Sequence, residues 1–152
     1  MYELHCQMLA PVSIQEAFAV FENPANLARI TPPWLNFQIT SKDPVEMRRG
    51  AEIEYRIRWL NVPVKWKTVI TQYDPPFSFV DEQARGPYTL WRHRHAFREV
   101  DGGTLVNDVV RYQLPMGPLG SLAHRLLVAR QLKEIFEFRQ QALRKIWGGG
   151  PL

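Results

Sequence analysis

The stretch from Pro118 to Trp147 constrains the fold most, because no glycine or proline interrupts it after Gly120 and its apolar residues are periodic. The apolar positions follow the spacing of one helix face: Leu119, Leu122, Leu126, Ala129, Leu132, Ile135, Phe136, Ala142, Leu143 and Ile146. This pattern predicts an amphipathic helix with one buried stripe, in which Arg125 and Arg139 are the charged exceptions. The glycines after Trp147 are typical of a helix end. Such a helix must pack on an apolar, concave surface, which the upstream residues have to supply.

Composition places the chain among ordinary single-domain globular proteins. It has 152 residues, of which 45% are hydrophobic and 22% charged, and its net charge is +4. The single cysteine, Cys6, excludes an internal disulfide and a cysteine pair for metal binding. The N-terminal residues resemble neither a signal nor a transit peptide, and no apolar run approaches the roughly 20 residues that span a bilayer. We therefore predict one cytoplasmic domain over residues 1–147 and a flexible glycine-rich tail over residues 148–152.

The residues before the helix alternate in polarity as β-strands do, beginning with residues 2–9. Ser13 and Glu16 form a capping box that starts a short helix, and Asn23-Pro24 starts a second one that runs to about residue 30. From Ala51 onward, alternating segments separated by turn residues predict a series of antiparallel strands. The expected fold is α+β: a curved antiparallel sheet of about seven strands gripping the long C-terminal helix, with two short helices after the first strand.

Two tight turns set the predicted strand registers. Asp101-Gly102 is the strongest hairpin signal and predicts a type I′ turn that pairs Val100 with Gly103. Asn61-Val62 predicts a second turn, which sets Arg56 opposite Lys67. These registers place a band of cations on the outer face of the sheet: Arg56, Arg58, Lys65, Lys67, Arg92, Arg94, Arg98 and Arg111.

The register of the Asp101-Gly102 hairpin also brings ionisable side chains together on the inner face. It sets three pairs of residues opposite each other: His95 and Asp108, His93 and Val110, Trp91 and Tyr112. Directly opposed residues point to the same face of a sheet, so Asp108 is expected to point inward with the histidines. Asp81 on the neighbouring strand and Thr68 one strand further are expected to face the same space.

The inner face is therefore predicted to form an aromatic chamber with a few convergent polar groups, which is the usual form of a small-molecule site. The predicted ligand contacts are Tyr55, Trp59, Trp66, Thr68, Phe79, Asp81, Trp91, His93 and Tyr112. His95 is the candidate general base and Asp108 the carboxylate that orients it, with a purely structural pair as the alternative. His93-x-His95 and a nearby aspartate could bind a metal, but no third histidine is placed close by. Neither a metal nor another cofactor is predicted.

Several segments resemble the START-like helix-grip superfamily, also called SRPBCC, and within it the cyclase/dehydrase-like or coenzyme-Q-binding-like subset. The matching segments are Asn26-Leu27, Ile30-Thr31-Pro32-Pro33-Trp34, Tyr73 with Pro76-Phe77, Phe79, Asp81 and Gln83, Gly86-Pro87-Tyr88 with Trp91, His93, His95 and Phe97, and Gly103-Thr104 before Asp108. The resemblance extends over essentially the whole chain. It implies a deep cavity between sheet and helix that holds an apolar ligand. The superfamily includes binding, transport, cyclisation and hydrolysis, and its catalytic residues vary, so none is transferred here.

We expect the chain to bind or transport a hydrophobic or aromatic small molecule in that cavity. The alternative is an enzyme, a polyketide cyclase, dehydratase or hydrolase, in which Asp108 orients His95 as the base; the sequence leaves this choice open. The outer cations could instead bind nucleic acid or an anionic membrane, but no nucleic-acid motif is present and acidic residues lie nearby. Binding of nucleic acid and insertion into a membrane are therefore not predicted, whereas contact of the basic face with a second copy, as a homodimer, stays open.

Overall fold

Seven strands form one antiparallel sheet in the computed structural model, which describes residues 1–42 and 44–148. The strands are β1 (Tyr2–Ala10), β2 (Gln38–Ile39), β3 (Glu52–Trp59), β4 (Val62–Asp74), β5 (Ser78–Arg85), β6 (Leu90–Val100) and β7 (Gly103–Gln113). Their order across the sheet is β1-β7-β6-β5-β4-β3-β2, so each strand after β2 pairs with its predecessor and β1 closes on β7. The predicted tail, apart from Gly148, lies outside the described residues.

The helices flank this sheet in two groups. Helix α1 (Ile14–Glu22) begins where the Glu16 backbone N–H donates to Ser13 Oγ, which confirms the predicted cap. The second predicted short helix is a single 3-10 turn at Pro24–Asn26, followed by another at Pro33–Leu35. The C-terminal helix consists of α2 (Gly117–Ala123), a π-helical turn (His124–Val128) and α3 (Ala129–Ile146). The predicted α+β architecture, a curved sheet holding a long C-terminal helix, is confirmed.

The apolar stripe of the C-terminal helix faces the sheet only after the π-helical turn. Leu132, Phe136 and Leu143 are buried, whereas Leu122 and Leu126 are 51% and 64% exposed. The prediction of one continuous buried stripe is therefore wrong for its first third. A π-helical turn holds about one residue more than an α-helical turn, which rotates the following side chains by about 100° relative to the preceding ones.

The strand registers confirm one predicted hairpin and correct the other. Val100 pairs with Gly103, and His95, His93 and Trp91 lie opposite Asp108, Val110 and Tyr112 as predicted. The turn between β3 and β4 is Leu60-Asn61 rather than Asn61-Val62, so Arg56 lies opposite Lys65 and not Lys67. This change shifts the register by two residues, which keeps every side chain on its predicted face.

The backbone dihedrals of the two turns explain that correction. Leu60 and Asn61 both have positive φ, 49° and 65°, as a type I′ turn requires, and asparagine tolerates this region well. At the Asp101-Gly102 turn only Gly102 has a positive φ, 88°, so the predicted type I′ turn is wrong there. Glycine at the second turn position is sufficient to preserve the predicted pairing.

The predicted band of cations lies on the outer strand faces, and acidic residues accompany it. Lys67 pairs with Glu52 at 2.8 Å, Arg111 pairs with Glu3 at 2.7 Å, and Arg92 lies 3.9 Å from Glu82. Arg92 and Arg111 are directly opposed across β6 and β7. Among the described residues, no helix combines the length and the apolar character needed to cross a bilayer.

Candidate functional site

A cavity of about 170 Å³ lies between the inner face of the sheet and the C-terminal helix. Nine of the predicted site residues line it: Tyr55, Trp59, Trp66, Thr68, Phe79, Asp81, Trp91, His93 and His95. They come from β3, β4, β5 and β6, and α3 covers the opposite side through Leu132 and Phe136. The alternation of polarity along the strands therefore correctly predicted most of the strand residues that line the cavity.

Tyr112 and Asp108, also predicted site residues, lie outside the cavity wall. The Tyr112 hydroxyl is 2.7 Å from His124 Nε2, and the Tyr2 ring stacks on His124 with ring centres 3.4 Å apart. Tyr112 therefore joins the sheet to the π-helical turn and belongs to the core. Asp108 is buried behind the histidines, so it can act on the site only through its contacts with them.

The aromatic end of the cavity is formed by Trp59, Trp66, Tyr88 and Trp91, and the nitrogens of Trp59 and Trp66 donate hydrogen bonds to neighbouring hydroxyls. Trp59 Nε1 donates to Tyr88 Oη at 3.2 Å, and Trp66 Nε1 donates to Thr68 Oγ1 at 3.0 Å. The Trp66 ring meets Trp91 edge-on, with centroids 5.4 Å apart. This geometry stabilises aromatic pairs and holds the wall rigid.

Tyr88 was not among the predicted site residues, although the sequence carries a signal for it. The side chain of Gln83 clamps the turn before β6, because its amide donates to the Tyr88 carbonyl at 2.7 Å and accepts from the Tyr88 N–H at 3.0 Å. A Cβ at Gly86 would lie 2.4 Å from Gln83 Oε1, so this approach requires glycine. The Gln83 and Gly86-Pro87-Tyr88 segments thus place one aromatic ring in the cavity wall.

The ionisable end consists of Asp81, His93, His95 and Asp108, and their pairing is more extensive than the predicted one. His93 Nε2 makes the hydrogen bond to Asp108 Oδ1 at 2.9 Å, and His95 Nε2 binds Asp81 Oδ2 at 2.6 Å. His95 Nδ1 is 3.0 Å from Asp108 Oδ1 but makes no hydrogen bond in that direction. The predicted contact between His95 and Asp108 is therefore present, and two hydrogen bonds that were not predicted, between His93 and Asp108 and between His95 and Asp81, accompany it.

The charges at this end are set by competition between burial and neighbouring groups. Burial would raise the pKa of both carboxyls, but Arg139 and the two histidines outweigh it and hold the pKa of Asp108 well below its usual range. The pKa of Asp81 is also lowered, because the histidines outweigh burial. Burial and the neighbouring His95 lower the pKa of His93, whereas the two carboxylates overcome burial and raise the pKa of His95. The same neighbours thus shift the pKa values of the two adjacent imidazoles in opposite directions.

Helix α3 contributes two polar residues that were not predicted, Gln131 and Arg139. The Arg139 guanidinium lies 5.0 Å from the centre of the Phe21 ring and 5.8 Å from that of Phe136. Arg139 Nε and Gln131 Oε1 are buried and have no hydrogen-bond partner among the described residues. The sequence signal for Arg139 was its position inside the apolar stripe of the helix, because charged residues are rarely buried unless they have a partner.

The ionisable end also carries the donor atoms of a metal site. Asp81, His93 and His95 each present one ligand atom, and these three atoms lie within 4.8 Å of one another. All three residues line the cavity. Chemically, this end can accept hydrogen bonds, donate them through Arg139, exchange a proton at an imidazole, or hold a cation.

Comparison with known proteins identifies the family to which this architecture corresponds. A family model described as polyketide cyclase / dehydrase and lipid transport matches residues 10–137. No curated protein matches the sequence at a significant level.

Solved structures share the fold over nearly the full chain. A protein of Thermus thermophilus is 15% identical with a TM-score of 0.71, covering 97% of this chain and 98% of that one. A protein of Chromobacterium violaceum is 9% identical with a TM-score of 0.73, covering 96% and 97%. A nucleoside-diphosphate sugar epimerase of Corynebacterium glutamicum is 22% identical with a TM-score of 0.67, and the match covers 93% of this chain but 28% of that protein. At these identities the similarity shows the fold alone.

Proposed function

The chain belongs to the polyketide cyclase/dehydrase and lipid transport family, and we propose that it binds a small aromatic molecule carrying one polar group in the cavity between the sheet and α3. The supporting observation is the asymmetry of the cavity wall. Aromatic rings line one end, and at the other end Arg139 Nε and His95 Nδ1 are buried without a hydrogen-bond partner among the described residues. Buried polar atoms are normally paired, so a ligand with a polar group would complete this end.

The size of the cavity limits the ligand. Its volume is about 170 Å³, and an apolar cavity of about 150 Å³ accommodates a benzene-sized molecule. A compact ring compound therefore fits better than an extended acyl chain. The family's role in lipid transport is compatible with this proposal only for a ligand of that compact kind.

The polar group of the ligand is expected at the ionisable end. Arg139 offers a guanidinium held over Phe21 and Phe136, and such a group binds carboxylates through two parallel hydrogen bonds. Trp66 and Trp91 at the opposite end would contact the ring. The ligand class that matches both ends is an aromatic acid or an aromatic ketone.

Tryptophan fluorescence tests this proposal directly, because Trp59, Trp66 and Trp91 line the cavity. The protein would be titrated with naphthoic acid and with the matched neutral compound, naphthamide. We expect a saturable change with a stoichiometry of one and tighter binding of the acid.

Two substitutions on the C-terminal helix locate the binding site. Ile135 lines the cavity, so Ile135→Phe should fill it and weaken binding by at least about 10-fold, since overpacking costs about 1–3 kcal/mol. Leu127 is 54% exposed, and Leu127→Phe is the control that should leave binding unchanged. Absence of saturable binding, or equal binding by both variants, would reject the cavity as the site.

A second candidate function is catalysis at His95, which lines the cavity between two carboxylates. Its imidazole could remove a proton from an acidic carbon of a ketide-like ligand, as cyclases and dehydratases require, while Asp81 and Asp108 hold the ring. The test is deuterium incorporation from solvent into acetylacetone, followed by NMR. Exchange that is accelerated by the wild type and lost in His95→Gln, with naphthoic acid binding retained, would support catalysis. Exchange at the rate seen in buffer without protein would argue against catalysis and leave ligand binding as the proposed function.

A further inference from the structure

His93 and His95 each present one nitrogen to Asp81 and the other to Asp108. On the Asp81 side, Oδ2 lies 2.6 Å from His95 Nε2 and 3.7 Å from His93 Nδ1. On the far side, a single oxygen, Asp108 Oδ1, lies 2.9 Å from His93 Nε2 and 3.0 Å from His95 Nδ1. Asp81 lines the cavity and Asp108 stands behind the rings, so the arrangement has an inner and an outer layer.

We propose that Asp81, His93 and His95 bind a divalent transition metal of the zinc type at the ionisable end of the cavity, with Asp108 holding both imidazoles from behind. Each of the three residues offers one ligand atom, and these atoms lie within 4.8 Å of one another. The nitrogens that face Asp81 Oδ2 are His93 Nδ1 and His95 Nε2, so the metal would contact these three atoms. This site goes beyond the proposed function, because an aromatic ligand can be bound without a metal.

The distances among the three ligand atoms suit such an ion after small movements. Zinc binds histidine nitrogen and carboxylate oxygen at about 2.0–2.2 Å, so neighbouring ligand atoms stand roughly 3–3.5 Å apart. The two distances from Asp81 Oδ2, 2.6 Å and 3.7 Å, lie on either side of this range. Rotation of the Asp81 carboxylate away from His95 would open the space, and the backbone of paired strands β5 and β6 would stay in place.

Asp108 supplies the outer layer that histidine ligands need. A histidine that binds a metal through one nitrogen donates the other N–H, commonly to a carboxylate, which fixes the tautomer. His93 Nε2 already makes this hydrogen bond to Asp108. His95 Nδ1 is buried and makes no hydrogen bond to the residues that the structure describes, yet the same oxygen is 3.0 Å away. Metal binding at Nε2 would place the proton on Nδ1, and a small ring rotation would pair it with Asp108.

The donor types select the kind of ion. Two imidazoles and one carboxylate favour zinc, iron or cobalt over calcium and magnesium, which prefer oxygen ligands. Because the metal would lie at the cavity wall, its remaining position would point toward a bound molecule.

Zinc titration of the untagged, chelator-treated protein by calorimetry tests the site. We expect one zinc per chain, and Asp81→Asn should weaken this binding by at least about 100-fold because it removes a direct ligand. Asp108→Asn should weaken binding by about 10–100-fold, since it removes only the outer partner. His5→Gln is the control, because His5 is exposed and pairs with Glu3 on the surface, where the two side chains could capture zinc. That variant should retain full binding.

Cobalt substitution keeps the proposal testable if the Asp81 variant does not fold. Proton NMR of the wild type with one equivalent of Co²⁺ should show two strongly shifted, exchangeable imidazole N–H signals, from His93 and His95. A single such signal, or binding that His5→Gln abolishes, would place the metal at the surface and overturn the proposal. So would the absence of stoichiometric binding. Naphthoic acid binding is measured separately, so failure of the metal site does not decide the proposed function.

Discussion

The two ends of the cavity are built from the same strands but satisfy their polar atoms in different ways. At the aromatic end, the nitrogens of Trp59 and Trp66 donate to neighbouring hydroxyls, and the rings meet edge-on. At the ionisable end, His95 Nδ1 and Arg139 Nε are buried and have no hydrogen-bond partner among the described residues. Polar atoms that are hydrogen-bonded within the protein contribute to its stability. Buried polar atoms without such partners can instead form hydrogen bonds with a ligand. The aromatic end is therefore expected to act mainly through stability and the ionisable end mainly through binding.

Removal of a ring from the aromatic end should produce the largest loss of stability. Trp66 is 5% exposed and contacts Tyr55, Tyr88 and Trp91. We expect Trp66→Ala to lower the free energy of unfolding by about 3–5 kcal/mol, measured by urea denaturation. Trp34→Ala is the control, because Trp34 is 45% exposed. A loss below about 1 kcal/mol for Trp66→Ala would mean that this end is not a structural core.

Asp108 tests whether the outer layer of the ionisable end also contributes to stability. Asp108→Asn keeps an acceptor oxygen but removes the negative charge that both histidines contact, and a hydrogen bond to a charged group contributes about 1.5–3 kcal/mol. Chemical denaturation should therefore show a loss in that range. Asp74 is exposed, and Asp74→Asn should change the free energy of unfolding by less than about 0.5 kcal/mol. Equal stability of the two variants would show that the histidines do not depend on Asp108.

Arg139 should show the opposite behaviour, with a large effect on binding and a small one on stability. Arg139→Met preserves the length of the side chain and its packing on Phe21 and Phe136. Loss of a charged hydrogen bond of about 1.5–3 kcal/mol predicts roughly 10–100-fold weaker binding of naphthoic acid. The free energy of unfolding should change by less than about 1 kcal/mol. Lys145→Met on the exposed face is the matched control, and unchanged binding by Arg139→Met would remove Arg139 from the site.

The smallest effect is expected in the exposed first part of the C-terminal helix. Leu126 lies in the π-helical turn and is 64% exposed, whereas Leu132 in α3 is 4% exposed. Leu126→Ala should change the free energy of unfolding by less than about 0.5 kcal/mol. A cost comparable to that of burying a full leucine, about 2 kcal/mol or more, would mean that another surface covers this segment in solution.

The sequence was sufficient to predict the fold and most of the cavity wall because both follow from the alternation of side chains along paired strands. The Asp101-Gly102 register placed His93, His95 and Asp108 correctly even though the turn type was wrong, since pairing depends on the position of the turn. An error of two residues at the β3–β4 turn left every face unchanged.

The features that the sequence did not reveal depend on side-chain directions and helix rotation. The hydrogen bonds of His93 to Asp108 and of His95 to Asp81 depend on the rotation of two adjacent rings, which strand register does not determine. The exposed face of Leu122 and Leu126 results from the π-helical turn, which has no clear signature in the sequence. Arg139 was visible as a charge in an apolar stripe, but its position over the cavity required the packing of α3 on the sheet.

A crystal structure of the protein grown with naphthoic acid would show directly whether the cavity binds this ligand. We expect electron density for the two rings between the sheet and α3, against Trp66 and Trp91, with the carboxylate contacting Arg139. Density for the ligand on the outer surface, or a closed cavity in which the protein's own side chains occupy the space, would contradict it.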